Sequence, residues 1–360
     1  MTNDIYKKLR EQLDQYSIGY PATQSGVEIK ILKKLFTEEE AEFFLLLSLS
    51  VETPEAVAKR TGRDLEATTA LLKQMAEKGL IFKLGRDDQA KYAAVPYVAG
   101  SYEFSLGNMD RELAQLMDDY LEEALCKSIT DVTPFMRPIP INRSVDVSYN
   151  VATYEDSRKI VAGQKLIAVA DCICRVQQGK IDKGCGKPLE VCFLFGSHGR
   201  YYIDHGMARQ ISAEEAYKIL EKAEEAGLVT QPFTTQNPGG MCNCCGDCCA
   251  ILRALNKLPN PAELVVSNYY AVVDAESCVA CETCLERCQM GAISINEDEA
   301  AQVNLDRCIG CGLCVTTCPS EALRLEIKPE DHRRYPPETG MQQVMEIARQ
   351  RGTSPIPLTK

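Results

Sequence analysis

Two hydrophobic periods take turns along the chain, and the places where they change mark its parts. Residues 1–38 read as a helical lead-in with a break at Tyr20-Pro21. The stretch "EEEAEFFLLLSLS" then reads as an apolar helix. Thr53 can cap a second helix that has Pro54 at its first position. Asp64 can cap a third, "LEATTALLKQMAEK", which Gly79 stops. The period then shortens: "LIFKL", a turn at "GRDDQ", and "KYAAV" predict a hairpin. Residues 99–165 combine a helix, "DRELAQLMDDYLEEALCKSI", with "TPFMRPIPINRSVDVS", whose prolines suit an extended, docked connector, and a short helix ending near Gly163.

In residues 166–268 the patterns mix. "KLIAVADCICR" opens as a β-branched strand, and "GCGKPLEVCFLFG" carries a second. Ser212 and Glu215 form a capping-box signature for "AEEAYKILEKAEEAG", stopped by Gly227, with Ile219, Leu220 and Ala223 on its apolar side. The cysteine run "CNCCGDCC" and a helix "AILRALNKL" follow. The expected architecture is α+β and multidomain. It comprises a helical lead-in and three-helix-plus-hairpin domain (1–98), a helical connector (99–165), a cysteine-rich α+β domain (166–268), a repeat (269–327), and a tail with a helix (328–360).

Composition narrows the function. With 360 residues and 45 % hydrophobic residues, the chain can bury several cores. A formal net charge of -11 disfavours a phosphate-binding surface and suits a partner that presents a basic patch. The opening "MTNDIYKKLREQLDQYS" lacks the apolar core and cleavage site of a signal peptide, and "FFLLLSLSV" is too short to span a bilayer. The expected location is therefore the cytoplasm, where 18 cysteines read as metal ligands rather than disulfides.

The sharpest motif is a duplication. Cys278, Cys281, Cys284 and Cys288 follow C-x2-C-x2-C-x3-C; Cys308, Cys311, Cys314 and Cys318 repeat the pattern 30 residues later, with Pro319 next. The same offset carries "AISI" onto "ALRL", so structural units repeat along with the thiols. This resembles the bacterial two-cluster ferredoxin module. In that module three thiolates of one loop grip one [4Fe–4S] cubane and the fourth reaches across to the other. The resemblance implies one cluster on Cys278, Cys281, Cys284 and Cys318, and a second on Cys308, Cys311, Cys314 and Cys288. Gln289 departs from the proline that usually follows the fourth cysteine.

Nine cysteines remain in the middle: Cys172, Cys174, Cys185, Cys192, Cys242, Cys244, Cys245, Cys248 and Cys249. A cubane or a structural zinc each needs four ligands. Neighbours in an extended chain point oppositely, so Cys244 and Cys245 do not readily share a site, nor do Cys248 and Cys249 unless a helix starts there. Cys172 and Cys174, if extended, share a face. The expected third site is Cys172, Cys174, Cys245 and Cys248, holding an additional [4Fe–4S] cluster or, alternatively, zinc. Cys185, Cys192, Cys242, Cys244 and Cys249 are in reserve. Arg175 and Arg209 are candidates to offset sulfide charge. His198 and His205 are read as hydrogen-bonding histidines, His332 as solvated, and Cys126 as a packed apolar residue.

The arrangement from about Thr133 onward, "CICR … GCGKPLEVCFLFG … MCNCCGDCC … SNY" before a two-cluster unit, resembles a group of ferredoxin-like iron–sulfur proteins of anaerobic bacteria. The three helices and hairpin of residues 39–98 resemble a winged helix-turn-helix domain. Its third helix sets Glu66 and Glu77 against Lys73 and Lys78, so protein docking is expected there rather than specific DNA binding. No dinucleotide fingerprint or P-loop is found. The resulting expectation is an electron-transfer protein, or a subunit of a larger complex, that passes low-potential electrons between redox partners. The alternatives are a redox-sensing winged-helix regulator and a reductase for a small disulfide or similar two-electron acceptor. The catalytic residues, donor and acceptor are not legible.

Overall fold

The computed structural model describes residues 4–86, 89–141, 144 and 152–354. Its N-terminal part contains α1 (Ile5–Leu13), α2 (Val27–Leu35), α3 (Glu38–Phe44), α4 (Pro54–Thr61) and α5 (Leu65–Glu77), followed by the antiparallel pair β1 (Phe82–Leu84) and β2 (Lys91–Ala93). The caps are chemical. Thr53 Oγ1 accepts the Ala56 N–H at 3.3 Å, and Asp64 Oδ1 accepts the Ala67 N–H at 2.9 Å. Gly79 ends α5 at φ 76°, where a Cβ would sit 2.6 Å from the Phe104 carbonyl oxygen. Leu9, Ile31, Phe43 and Leu72 meet in a fully buried core. The hairpin does not project freely: Phe82 stacks on Tyr201 at 5.1 Å, and Arg86 pairs with Asp204. The tip of the expected turn, residues 87–88, lies outside the described residues.

The connector comprises α6 (Tyr102–Phe104) and α7 (Arg111–Tyr120), which continues through a wide turn at Leu121–Leu125 into α8 (Cys126–Thr130). Tyr20 packs against both Tyr97 and Tyr120, with ring centroids 4.6 and 4.7 Å away. Residues 133–141 of the proline-rich segment form no helix and lie along the sheet strand Val229–Pro232. Arg137 N–H and Ile139 N–H bond to the Pro232 and Thr230 carbonyls, both at 3.1 Å. Of the connector that follows, residues 142–143 and 145–151 lie outside the described residues. The short helix is α9 (Ser157–Ala162).

The middle region is a five-stranded antiparallel sheet in the order β5-β3-β4-β7-β6. In chain order its elements are β3 (Ile167–Asp171), α10 (Ile173–Lys180), β4 (Glu190–Phe195), α11 (Gly196–Asp204), β5 (Ala208–Ile211), α12 (Ala213–Glu225), β6 (Val229–Pro232), β7 (Gly240–Cys244) and α13 (Ala250–Asn256). Ser212 Oγ accepts the Glu215 N–H, and α12 buries Ala216, Ile219, Leu220 and Ala223 against the sheet. The connector backbone covers the outer edge of β6, which would otherwise expose unpaired groups.

After α14 (Pro261–Leu264) comes the repeat: β8 (Tyr269–Val273), α15 (Thr283–Arg287), β9 (Ile293–Ile295), β10 (Ala301–Val303) and β11 (Leu323–Ile327). β8 pairs with β11, and β9 with β10, so each half of the duplication lends a strand to the other. The last helix, α16 (Gly340–Arg351), packs on the connector and the N-terminal part: Gln343 donates to the Phe135 carbonyl at 2.9 Å, and Arg351 pairs with Asp14 at 3.1 Å. Its apolar stripe, Ile347 and Ala348, is buried on that side, while Met341 and Met345 stay exposed.

Candidate metal centres

The 30-residue offset is written into the backbone of the repeat. Ala280 and Gly310, Glu282 and Gly312, and Gly291 and Glu321 form three pairs at that spacing, and all six residues have φ between 50° and 77°. Left-handed residues at these points turn the chain around the cysteines. Ala271 N–H bonds to Cys308 Sγ, and its counterpart Ala301 N–H bonds to Cys278 Sγ, both at 3.4 Å. Ala292 N–H donates to Cys288 Sγ at 3.2 Å, and the Ser320 hydroxyl lies 3.7 Å from Cys318 Sγ.

Two cavities open inside this frame. Cys278, Cys281, Cys284 and Cys318 line one; Cys288, Cys308, Cys311 and Cys314 line the other. Each thus takes three thiols from one loop and one from the other. The donor set fits a cubane: four sulfurs around an apolar void, with backbone N–H groups aimed at sulfur. Burial raises the Cys311 thiol to about 12, which a bare thiol tolerates only as the neutral form and a metal-bound thiolate avoids.

The second loop abuts the middle domain. Ile309 and Leu313 share a buried cluster with Cys244, Cys249, Leu252 and Leu255. Ile141 N–H bonds to the Cys311 carbonyl at 3.1 Å. Gln289, at the unusual position after Cys288, accepts the Gly246 N–H on Oε1 at 2.7 Å, and its carbonyl accepts Asn256 Nδ2 at 3.0 Å. A proline there could not make the first contact. Gln289 therefore joins the repeat to the middle of "CNCCGDCC".

The cysteine run divides its thiols by side. Cys242 and Cys244 lie two apart on β7 and line a cavity of about 120 Å³ with Cys172, Cys174, Cys192 and Cys249. These six thiols adjoin one another closely, and Cys172 also faces Cys244 and Cys242 also faces Cys249. Cys172 neighbours Cys174, Cys174 neighbours Cys249, Cys249 neighbours Cys244, Cys244 neighbours Cys242, and Cys242 lies 3.9 Å from Cys192. Cys245 and Cys248 turn the other way and meet Cys185, whose sulfur is 3.7 Å from that of Cys245. The four residues expected to share one site are thus apportioned between two places: Cys172 and Cys174 at the cavity, Cys245 and Cys248 with Cys185. Cys172 and Cys174 are also not extended: β3 ends at Asp171, Cys172 caps α10, and Cys174 sits in its first turn.

Polar groups tend both sulfur sets. The Arg175 guanidinium, almost fully buried, approaches Cys245 Sγ at 3.7 Å and donates to the Asn243 carbonyl at 3.0 Å, while its Nε finds no partner among the described residues. Cys174 is held well below the ordinary thiol range by the Cys172 and Cys249 thiols, the Ala250 N–H and the Tyr102 hydroxyl. That hydroxyl lies 3.6 Å from Cys174 Sγ. Gln231, fully buried, lies against the Cys244 thiol and bonds no other described residue through its amide. Unfilled amide capacity beside thiols is what a sulfide-bearing group would use.

The remaining candidates fall as follows. His198 lines the cavity, and burial lowers its pKa, so it sits there neutral. His205 Nδ1 is 2.7 Å from the Tyr201 carbonyl oxygen. Arg209 does not reach sulfur: it is held by Glu190 at 2.7 Å and Glu215 at 2.6 Å on the surface. His332 is exposed beside Asp331, and Cys126 is packed in the N-terminal core. Tyr102 and Gln231 carry no sequence motif that marks them. The sequence marks Gln289 only as a departure.

The repeat and its two four-cysteine cavities define a ferredoxin-type iron–sulfur module. Residues 271–325 match the family model of the 4Fe-4S dicluster domain. No curated protein and no solved structure matches the chain. No helix among the described residues is long and apolar enough to cross a membrane.

Proposed function

We propose that this chain relays low-potential electrons between redox partner proteins. In this reading Cys278, Cys281, Cys284 and Cys318 hold one [4Fe–4S] cluster, and Cys288, Cys308, Cys311 and Cys314 hold the second. The six-thiol cavity holds a further iron–sulfur cluster. When bound, each cluster supplies a one-electron couple. The observation that carries the reading is continuity. Cys284 and Cys314 share one buried cluster, Cys244 and Cys249 share another, and Cys308 packs against both. The protein's own work is to hold the thiolates, exclude water and keep neighbouring sites close.

The first loop is the natural face for a partner. Val279 is 63 % exposed and Cys281 is exposed, whereas Ile309, the counterpart of Val279, is 1 % exposed. Acidic side chains at Glu276, Glu282 and Glu286 surround that face, which suits a basic patch on the other protein. The N-terminal domain is read as a docking element and the protein as a cytoplasmic one. Support for docking comes from the hairpin, whose strand β1 is already packed on α11, and from the absence of a basic cluster on α5.

The test is the full chain purified without air. About twelve irons and twelve sulfides per chain are expected for three cubanes, with spin-coupled signals in the reduced state. Fewer than about six irons would refute even the two-cluster part. Cys192→Ser with Cys242→Ser should remove about four irons and leave the ferredoxin-type signals.

A further inference from the structure

The three thiols Cys185, Cys245 and Cys248 line none of the cavities described above, although Cys172 shares a buried cluster with Cys245 and Cys248. Cys185 comes from the loop between α10 and β4, and the other two from the turn between β7 and α13. Their sulfurs all lie within 4.8 Å of one another, with Cys185 and Cys245 at 3.7 Å. A tetrahedral ion with metal–sulfur bonds near 2.3 Å sets its thiolates about 3.8 Å apart. The match is to a single ion. A cubane places each thiolate on a different iron and spreads them more widely. Among the described residues, no three of the eight cysteines in the repeat come within that 4.8 Å limit of one another.

The surroundings agree. Cys245 and Cys248 form a C-x-x-C turn in which the Cys248 N–H bonds back to the Cys245 sulfur. Gly246 sits inside it, where a Cβ would lie 2.7 Å from the Gln289 carbonyl oxygen, so the turn cannot carry a side chain at that point. Three thiolates around a divalent ion leave one net negative charge. The buried Arg175 guanidinium, 3.7 Å from Cys245 Sγ, neutralises it. Among the described residues no fourth cysteine, histidine or carboxylate atom lies within the same limit of all three sulfurs.

We infer that Cys185, Cys245 and Cys248 bind one zinc-type divalent ion, separate from the iron–sulfur sites, with an exchangeable fourth position. Soft thiolates favour zinc over hard cations. The ion pins the loop before β4 to the cysteine run. It is redox-inert, so it plays no part in the relay and does not depend on it.

The experiment is metal analysis and X-ray absorption at the zinc edge on the full chain, purified without air. About one zinc per chain is expected, with about three sulfurs near 2.3 Å and one lighter atom. No iron should appear in its outer shell. Cys185→Ser, in a half-exposed loop, should cut zinc about tenfold and leave iron and sulfide unchanged. Cys192→Ser should do the reverse. The inference is overturned if the wild-type chain holds no zinc, or if Cys185→Ser removes iron and sulfide together. The wild-type spectrum needs no variant and decides the matter even if Cys185→Ser fails to fold. Failure of the relay would show instead as missing iron.

Discussion

The two cysteine loops of the repeat share ligand spacing and left-handed residues, yet they live in different surroundings. The first, Cys278–Cys288, keeps Val279 and Cys281 at the surface and tolerates Ala280 and Glu282 at φ 50° and 62°. The second, Cys308–Cys318, needs glycine at both counterpart positions. A Cβ on Gly310 would lie 2.2 Å from the Tyr269 carbonyl oxygen, and one on Gly312 would lie 2.1 Å from Ser144 Oγ. The thiol frame itself therefore does not demand glycine; close approach of neighbouring chain does. One loop is built to face outward, and the other is built into the protein.

The comparison breaks most sharply at those glycines. Gly310→Ala should destabilise the chain by about 3 kcal/mol or more, since it adds left-handed strain to a clash with backbone that cannot move aside. Ala280→Gly, its counterpart, should change stability by less than about 1 kcal/mol. Denaturant unfolding of the iron-loaded protein measures both. Equal effects would mean that the two loops are packed alike.

The buried loop rests on α13, and α13 is held from behind. Arg253 of that helix pairs with Asp118 of α7 at 2.7 Å, and Lys183 and Gln178 bond to the same carboxylate at 2.7 and 2.8 Å. Burial alone would raise the pKa of Asp118, but these three partners outweigh it and hold it below the usual carboxylate range. A carboxylate with a lowered folded pKa lends stability above its unfolded value and loses it as pH falls through the folded one. Asp118→Asn should therefore cost about 2–3 kcal/mol at neutral pH, and less below about pH 4. Thermal melts across that range check it. A cost that does not shrink on acidification would assign the effect to packing.

Gln289 sharpens the contrast on a finer scale, because its counterpart in the second loop is the exposed Pro319. Gln289→Ala removes the acceptor of the half-buried Gly246 N–H and should cost about 1 kcal/mol. Pro319→Ala should cost less than about 0.5 kcal/mol. If the two were alike, the bond to the cysteine run would contribute nothing.

Much of this was legible because it rests on local chemistry. The caps at Thr53, Asp64 and Ser212 and the stop at Gly79 follow from single residues, and the two ligand sets are what the resemblance to the two-cluster module implies. The cavity and the three-thiol group were only half legible. Alternation had already separated Cys244 from Cys245, and the structure places those two on opposite sides. Which partners each would meet depended on long-range placement. Cys185 sits in an irregular loop some 60 residues from Cys245, and no periodicity marks it. Ala280 and Glu282 hid their left-handed backbone because nothing in their identity demands it. The docking of α16 on Phe135 and Asp14 was equally out of reach, since an apolar stripe does not name its cover.

The smallest effect on stability should accompany the clearest effect on function. Glu282 and Glu286 are exposed beside the outward loop, and no hydrogen bond or ion pair fixes either side chain among the described residues. Replacing both with lysine should leave stability within about 0.5 kcal/mol of the original. Steering of a basic partner, however, depends on the sign of that face. The association rate should fall several-fold, on the order of 10-fold at low ionic strength, and the difference should close as salt shortens the screening length to about 3 Å near 1 M. Stopped-flow reduction by a cationic low-potential donor, compared at several salt concentrations, reads this directly. An unchanged rate at low salt would remove the first loop as the entry face. The alternative face would then be sought around the exposed Leu305, beside the second loop.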